Sequence, residues 1–351
     1  MKTLQGGKQH ATRIHWIDIC RGIAIILVMY GHLFASDQSS YLIYAFHMPL
    51  FFFISGFVFK PQRNTSLKKI AMKYAKQLLV PYALFAILTY GFAFISQRIS
   101  DLSINGIGYQ LFGVLYGSGR AGMLGYNVLL WFLPCLFITK LAFSAITKYF
   151  CQTKKLIVIL LASATAGALI SLLIPWLVLP FGFEIALTAL PIFGAGYLVK
   201  TQKRVLYIFE KYKFPIAPLA LLFTAVIATL NFQLAGTQVD MRVNQLNNIP
   251  LFYLGAFGGI ASWTAISQII AKNTFLEYLG RHSLIIFAWH YILLMDLEKM
   301  INSFLTQDII QSLQPFMTTL YVFMAISIIL FSHALIVKAK AAYRFIPFFN
   351  Q

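Results

Sequence analysis

Long apolar stretches separated by short polar connections leave this chain few ways to fold. Ten stretches, residues 16–35, 44–59, 78–95, 128–146, 156–174, 183–199, 216–232, 249–269, 283–301 and 316–337, each come close to the ~20 residues that a helix needs to cross a bilayer. In hydrocarbon every backbone N–H and C=O must be bonded within the protein, so only helices and closed barrels can span. The apolar runs are continuous and do not alternate with period two, which excludes a transmembrane barrel. The expected fold is all-α: a polytopic membrane protein with about ten transmembrane helices. Composition agrees where it matters. Only 11% of the residues are charged and 59% are hydrophobic, against about 25% charged in a soluble domain. A soluble enzyme, a disordered chain and a disulfide scaffold are excluded.

The net charge of +18 does not point to nucleic acid, because basic residues mark the cytoplasmic loops of a membrane protein. With the N-terminus placed in the cytoplasm, 24 of the 28 Lys and Arg fall in cytoplasmic segments. Arg98, Arg120, Arg242 and Lys299 are left outside. This asymmetry predicts both termini in the cytoplasm. It divides the chain into a cytoplasmic tail over 1–15, a membrane domain over 16–337 and a second cytoplasmic tail over 338–351. Asp18 and Arg21 lie inside the first apolar stretch, so it is expected to be retained and not cleaved as a signal. No appended soluble domain is expected. The run Gly117-Ser118-Gly119-Arg120-Ala121-Gly122 fits G-x-G-x-x-G, but it stands in an expected outside loop with no strand before it, so no dinucleotide site is read from it. Cys20, Cys135 and Cys151 form neither a CxxC pair nor an even framework, and neither a disulfide nor a metal site is expected.

Ionisable groups inside a membrane are costly and mark functional sites by default. The first span holds three: Asp18, Arg21 and His32. Arg21 and His32 are eleven positions apart, about 20° past three full turns, so they share one helix face about 16 Å apart. Asp18, three residues before Arg21, can pair with it. A second reading stays open, in which Arg21 snorkels to the interface and His32 bonds to a neighbouring helix. The second span opens on Phe46-His47-Met48-Pro49 and runs in the opposite direction, which brings His47 level with His32. Ser55 and Gly56 in the same span read as packing residues. After it comes a basic run that includes Lys68, Lys69, Lys73 and Lys76. Orientation by charge explains the run; so does an anionic ligand such as a nucleotide phosphate.

Together these residues resemble the acyltransferase-3 family of integral-membrane acyltransferases. The resemblance rests on Arg21-x10-His32, on Phe46-His47-Met48-Pro49 followed by Phe51-Phe52-Phe53-Ile54-Ser55-Gly56-Phe57, and on Leu78-Leu79-Val80-Pro81-Tyr82 after the basic run. It continues through Leu130-Trp131-Phe132-Leu133, Leu190-Pro191-Ile192-Phe193-Gly194 and Leu279-Gly280-Arg281-His282-Ser283. It covers essentially the whole chain and is most similar to the fucose or capsular polysaccharide O-acetylase branch. It implies transfer of an acyl group, usually acetyl, from cytoplasmic acetyl-CoA to a hydroxyl of a surface polysaccharide or lipid-linked glycan, in a bacterial cytoplasmic membrane and without a metal. The family's essential arginine and histidine map onto Arg21 and His32.

A cation at the inner end of a stripe and a base at its outer end would let a pantetheine arm lie along the first helix. His32 is then the expected general base, with His47 in support; a transient acyl-histidine is the alternative. Lys68, Lys69, Lys73, Lys76 and Arg281 are expected on the donor side with Arg21 and Asp18. His290, about 10 Å from the inner end of its helix by rise, reads as a channel residue on the donor path and not as a partner of His32. Asp37, Glu184 and Trp131 are candidates on the acceptor side, against a reading of the first two as solvated loop residues and of Trp131 as an interface anchor. A transporter or flippase of a lipid-linked sugar is the competing class, but no inverted repeat or pair of broken helices supports it.

Overall fold

The computed structural model describes residues 14–33, 40–95, 104–150, 152–304 and 313–343; Asp37, Cys151 and most of both tails lie outside them. Each of the ten apolar stretches is built mainly of helix over its described residues. In chain order the helices are α1 (His15–Leu33), α2 (Ser40–Tyr44), α3 (His47–Phe57), α4 (Leu67–Tyr74), α5 (Val80–Ile95), α6 (Ile104–Tyr116), α7 (Phe132–Tyr149), α8 (Thr153–Leu173), α9 (Phe183–Thr201), α10 (Lys203–Lys211), α11 (Lys213–Ala235), α12 (Ile249–Ile270), α13 (Thr274–Arg281), α14 (Ser283–Asn302) and α15 (Gln314–Tyr343). Among the described residues nine helical stretches are long and apolar enough to cross a membrane. The remaining expected span, 283–301, coincides with the 20-residue α14. Asp296, Glu298 and Lys299 crowd its last turns, so length and hydropathy alone do not mark it. The chain is an all-α polytopic membrane protein.

Two spans are composite. The second is α2 and α3 with a break at Ala45–Phe46. Pro49 sits in the first turn of α3, where its missing N–H has no intrahelical partner to lose. The third joins α4 to α5 through a π-helical turn, Ala75–Leu79. The loop expected between the third and fourth spans contains α6, thirteen residues and too short to cross. It leans on α5: the Tyr82 hydroxyl donates to the Val114 carbonyl at 2.7 Å and the Tyr90 hydroxyl to the Gln110 carbonyl at 3.3 Å.

Lysines fasten one end of the bundle. Lys148 Nζ donates to the Thr65 carbonyl at 2.8 Å, Lys200 Nζ to the Phe59 carbonyl at 3.1 Å and Lys213 Nζ to the Gln268 carbonyl at 3.2 Å. Phe59 and Gln268 lie at or just past helix C-termini, where unsatisfied carbonyls favour a cation. This is the basic end, and α1 starts there. Here α13 lies across α1 in close contact. A Cβ on Gly22 would collide with the Leu276 carbonyl, and one on Gly280 with the Asp18 carbonyl. Backbone meets backbone, as small residues permit between membrane helices. His15 Nδ1 stands 3.0 Å from Glu277 Oε1 beside the crossing. The neighbouring imidazole holds the Glu277 carboxyl below the usual carboxylate range. Gly56 on α3 meets the Phe193 carbonyl of α9 in the same manner, as its packing role requires.

Candidate active site

The opposite end of the bundle holds a cavity of about 460 Å³. Its wall includes His32 from the last turn of α1, Tyr44 and His47 from either side of the α2–α3 break, and Phe287 and Tyr291 from α14. The wall is closed by Gly119, Gly122 and Trp131 from the segment before α7, and by Gln238, Asp240 and Arg242 from the loop between α11 and α12.

The histidines are held by their helices. His47, 5% exposed, has Nδ1 2.9 Å from the Ile43 carbonyl across the α2–α3 break. His290, fully buried, has Nδ1 3.0 Å from the Ile286 carbonyl one turn back. A carbonyl oxygen only accepts, so in each neutral ring Nδ1 carries the proton and Nε2 carries the lone pair. The His32 ring centroid lies 5.6 Å from those of His290 and Tyr291 and 6.3 Å from that of Tyr44; Tyr44 in turn is 4.9 Å from His47.

His290 is therefore a neighbour of His32, contrary to the depth read from its sequence position. The reason is α13. Counting rise from the first residue of α14 assumes that the helix begins at the membrane surface. Gly280 abuts Asp18, already a turn into α1. From that contact His290 lies about 15 Å along its path and His32 about 21 Å along α1. The offset of about 6 Å is within reach of two side chains.

The loop facing the histidines is rigid by its hydrogen bonds. Asp240 and Gln245 exchange backbone N–H···O bonds of 2.9 and 3.0 Å. Asn231 on α11 accepts from the Asn248 N–H at 2.9 Å, and the Thr188 hydroxyl on α9 donates to Asn244 Oδ1 at 3.0 Å. The loop presents an ion pair: Arg242 Nη2 donates to Asp240 Oδ2 at 2.8 Å and Nη1 to the Gly119 carbonyl at 2.8 Å. A Cβ on Gly119 would stand 3.0 Å from Trp131 Cβ and 3.1 Å from Arg242 Cγ, so the glycine lets the guanidinium approach. The glycine run that is no dinucleotide motif is thus a wall of the cavity. Asn127 ties the same segment to α14, donating to the Ala288 carbonyl at 2.7 Å.

Of the acceptor-side candidates, Trp131 is 3% exposed and lines the cavity, so it is not an interface anchor. Glu184 is fully buried and not a solvated loop residue, but it is not brought to His32. Its Oε2 accepts from the Leu179 N–H at 3.1 Å and its Oε1 lies 3.8 Å from Arg120 Nη1, so it braces the segment before α9. Asp37 lies outside the described residues. Tyr44, Tyr291, Gln238, Asp240 and Arg242 also line the cavity, and sequence reasoning missed them. The lone intercalated Asp240-Met241-Arg242 in an otherwise uncharged loop was the available signal.

The donor-side candidates other than His290 gather at the basic end. Arg21 Nη1 is 3.6 Å from Asp18 Oδ1, as the three-residue spacing predicts. Lys68, Lys69 and Lys73 on α4 and Lys76 on the π-turn are exposed, while Ile70 and Tyr74 face inward. Lys140, from α7, places Nζ 4.6 Å from the Tyr74 ring centroid, within electrostatic reach of both Lys73 and Arg21. Arg281 is exposed next to Gly280, its Nε donating to the Glu277 carbonyl at 3.2 Å. Between the two ends the Arg21–His32 face of α1 carries Ile25 and Val28, at most 1% exposed. It is a packed row, not an open groove. Among the described residues no three His, Cys, Asp or Glu are grouped to hold a metal.

Neither a curated protein nor a solved structure gives a significant match to the chain. A family model does: that of acyltransferase-3, described as an acyltransferase domain, matches residues 14–336. The match takes in both ends of the bundle, from the Arg21 crossing to the His32 cavity, and by it the chain belongs to the acyltransferase-3 family.

Proposed function

We propose that this membrane acyltransferase moves an acetyl group from cytoplasmic acetyl-CoA to a hydroxyl of a surface-polysaccharide or lipid-linked sugar. The observation that supports it best is the division of one helix between two chemistries. Arg21 stands among cations at the basic end of α1, and His32 stands in a cavity at the other. The cavity wall suits a sugar: aromatic rings offer faces to C–H surfaces, while Gln238, Asp240 and Arg242 offer hydrogen bonds. The basic end suits the phosphates of coenzyme A, which arginine grips with a planar fork.

In this reading His32 takes the proton of the acceptor hydroxyl as its oxygen attacks the thioester carbonyl. The C–O bond forms and the C–S bond breaks. The proton then passes from the imidazolium to the departing coenzyme A sulfur. Because Ile25 and Val28 are packed, the pantetheine arm has to displace side chains along this row to reach His32. The basic end faces the cytoplasm of a bacterial cell and the cavity faces outward, following the skew of Lys and Arg.

The direct test supplies [¹⁴C]acetyl-CoA to membranes carrying the protein. Label appears in the glycan fraction if the reading holds. Glycan translocation without consumption of acetyl-CoA would identify a flippase instead. Arg21→Ala is expected to weaken acetyl-CoA binding with the protein still inserted. Arg21→Lys restores it only in part, because a fork becomes a point charge. Unchanged affinity in Arg21→Ala would leave Arg21 an interfacial anchor. The orientation is checked separately. A reporter active only in the cytoplasm is expected to work after Gln351, and one active only outside near Asp101. Silence of either reverses that part of the assignment.

A further inference from the structure

We propose that His290 is a positioning residue for His32: its Nε2 accepts a hydrogen bond from one ring nitrogen of His32 and turns the other, lone-pair nitrogen toward the acceptor hydroxyl. The inference rests on the reading of His32 as the base.

Three observations carry it. His290 is fully buried, and its Nε2 has no hydrogen-bond partner among the described residues. A buried nitrogen left unsatisfied is costly, and an apolar side chain would fill the same space without that cost. Next, the tautomer is fixed. The Ile286 carbonyl holds the proton on Nδ1, so Nε2 can only accept while the ring is neutral. Finally, the His32 ring stands opposite at 5.6 Å between centroids. Two imidazoles joined by an N–H···N bond of about 3 Å have centroids about 5 Å apart, since each nitrogen lies about 1 Å from its ring centre. A small rotation of His32 closes the bond, and catalytic hydrogen bonds commonly tighten only when substrate is bound. His32 lines the cavity and His290 does not. The acceptor therefore meets only the first ring.

His47 is not equivalent. It lines the cavity itself, beside Tyr44, and so stands where it can touch the acceptor directly.

The arrangement does for His32 what the carboxylate of a hydrolase triad does for its histidine: it sets the tautomer and steadies the imidazolium as it forms. The proton balance is closed. His32 gains the proton from the acceptor oxygen and gives it to the coenzyme A sulfur, while His290 keeps its own proton on Nδ1 throughout. Because an N–H of a charged ring is the stronger donor, the His290 lone pair favours protonated His32. Removing it makes His32 a weaker base. Among the described residues the other titratable and charged groups beside His32 or in its cavity wall are Tyr44, His47, Tyr291 and the Asp240–Arg242 pair, and all remain in the variants below.

The experiment feeds [¹⁴C]acetyl-CoA to membrane vesicles carrying the full chain, as His290→Phe, His290→Gln or His32→Ala. Label entering glycan is read across the range in which imidazole titrates, about pH 5 to 8. His290→Phe is expected to lower kcat about 10–100-fold, as loss of the outer partner does for metal-bound histidines. KM for acetyl-CoA should not change, and the acidic limb of the profile should move to lower pH. His290→Gln keeps an acceptor and should recover part of the rate with a limb near that of the parent. Equal losses in Phe and Gln with an unmoved limb would reduce His290 to packing and overturn the proposal. Because Gln keeps the site polar, a His290→Phe chain that fails to insert leaves the Gln profile to decide: a loss of about 100-fold in His290→Gln with the limb at its parental position also overturns the proposal, since the acceptor is then present and the rate is not recovered. If His32→Ala retains activity, the base reading itself has failed, a result distinct from either of these.

Discussion

Membranes carrying His32→Ala at parental protein levels are expected to acetylate glycan about 10²–10⁴-fold more slowly, the range lost with a general base. The size of the loss follows from the position of the ring. His32 lines the cavity at the end of α1 with His290 behind it. Among the described residues the one other imidazole in the cavity wall, His47, has its Nδ1 turned to the Ile43 carbonyl and stands on another helix. It is placed to hold an acceptor and not to replace the base. His47→Ala should therefore cost less than His32→Ala, and the decisive measurement is their ratio. Near-parental acetylation in His32→Ala would remove α1 from the chemistry. A larger loss from His47→Ala would keep the cavity and exchange the two roles. Neither variant should change insertion, because both rings lie against a cavity and not at a helix crossing.

What the sequence could and could not disclose divides along the chain's own physics. The spans were legible because hydrocarbon imposes one length on every helix. α1 was legible in detail because Asp18, Arg21 and His32 lie on one continuous helix, where spacing converts to angle and rise. His47 was placed at the right end for a similar reason: its stretch is short and runs back from the same side. His290 was misplaced by the same arithmetic, since the rise was counted from a surface that α14 does not start at. The docking of α13 on α1 sets that start, and a crossing of two backbones at Gly22 and Gly280 has no periodic signature. Asp240 and Arg242 were lost in another way. They reach the wall of the His32 cavity through a loop fixed by bonds to α9 and α11, contacts between residues far apart in sequence. Glu184 shows the converse: a buried carboxylate at a helix start, engaged with Arg120 and the Leu179 N–H instead of a substrate.

The α1–α13 crossing also predicts that acetyl-CoA binding can be lost without touching a charge. Gly22 lies beside Arg21 and Gly280 beside Arg281, and at each a Cβ would collide with a backbone carbonyl of the facing helix. Backbone cannot rotate away as a side chain can, so Gly22→Val or Gly280→Val has to force the helices apart. Overpacking of this kind costs about 1–3 kcal/mol and sometimes more, and it also displaces α14, whose start α13 fixes. Each variant is expected to lower Tm by several degrees, as a loss of this size does in a domain. Each should also weaken acetyl-CoA binding although Arg21, Arg281 and every lysine remain. Gly91 on α5 is the control, because nothing stands within 4 Å of its Cβ position; Gly91→Val should change neither quantity. If Gly22→Val matches Gly91→Val in Tm, the crossing is not the tight contact described. If Tm falls while acetyl-CoA affinity stays parental, α13 braces the bundle but takes no part in holding the donor, and the cations of α4 and α7 must hold it with Arg21 alone.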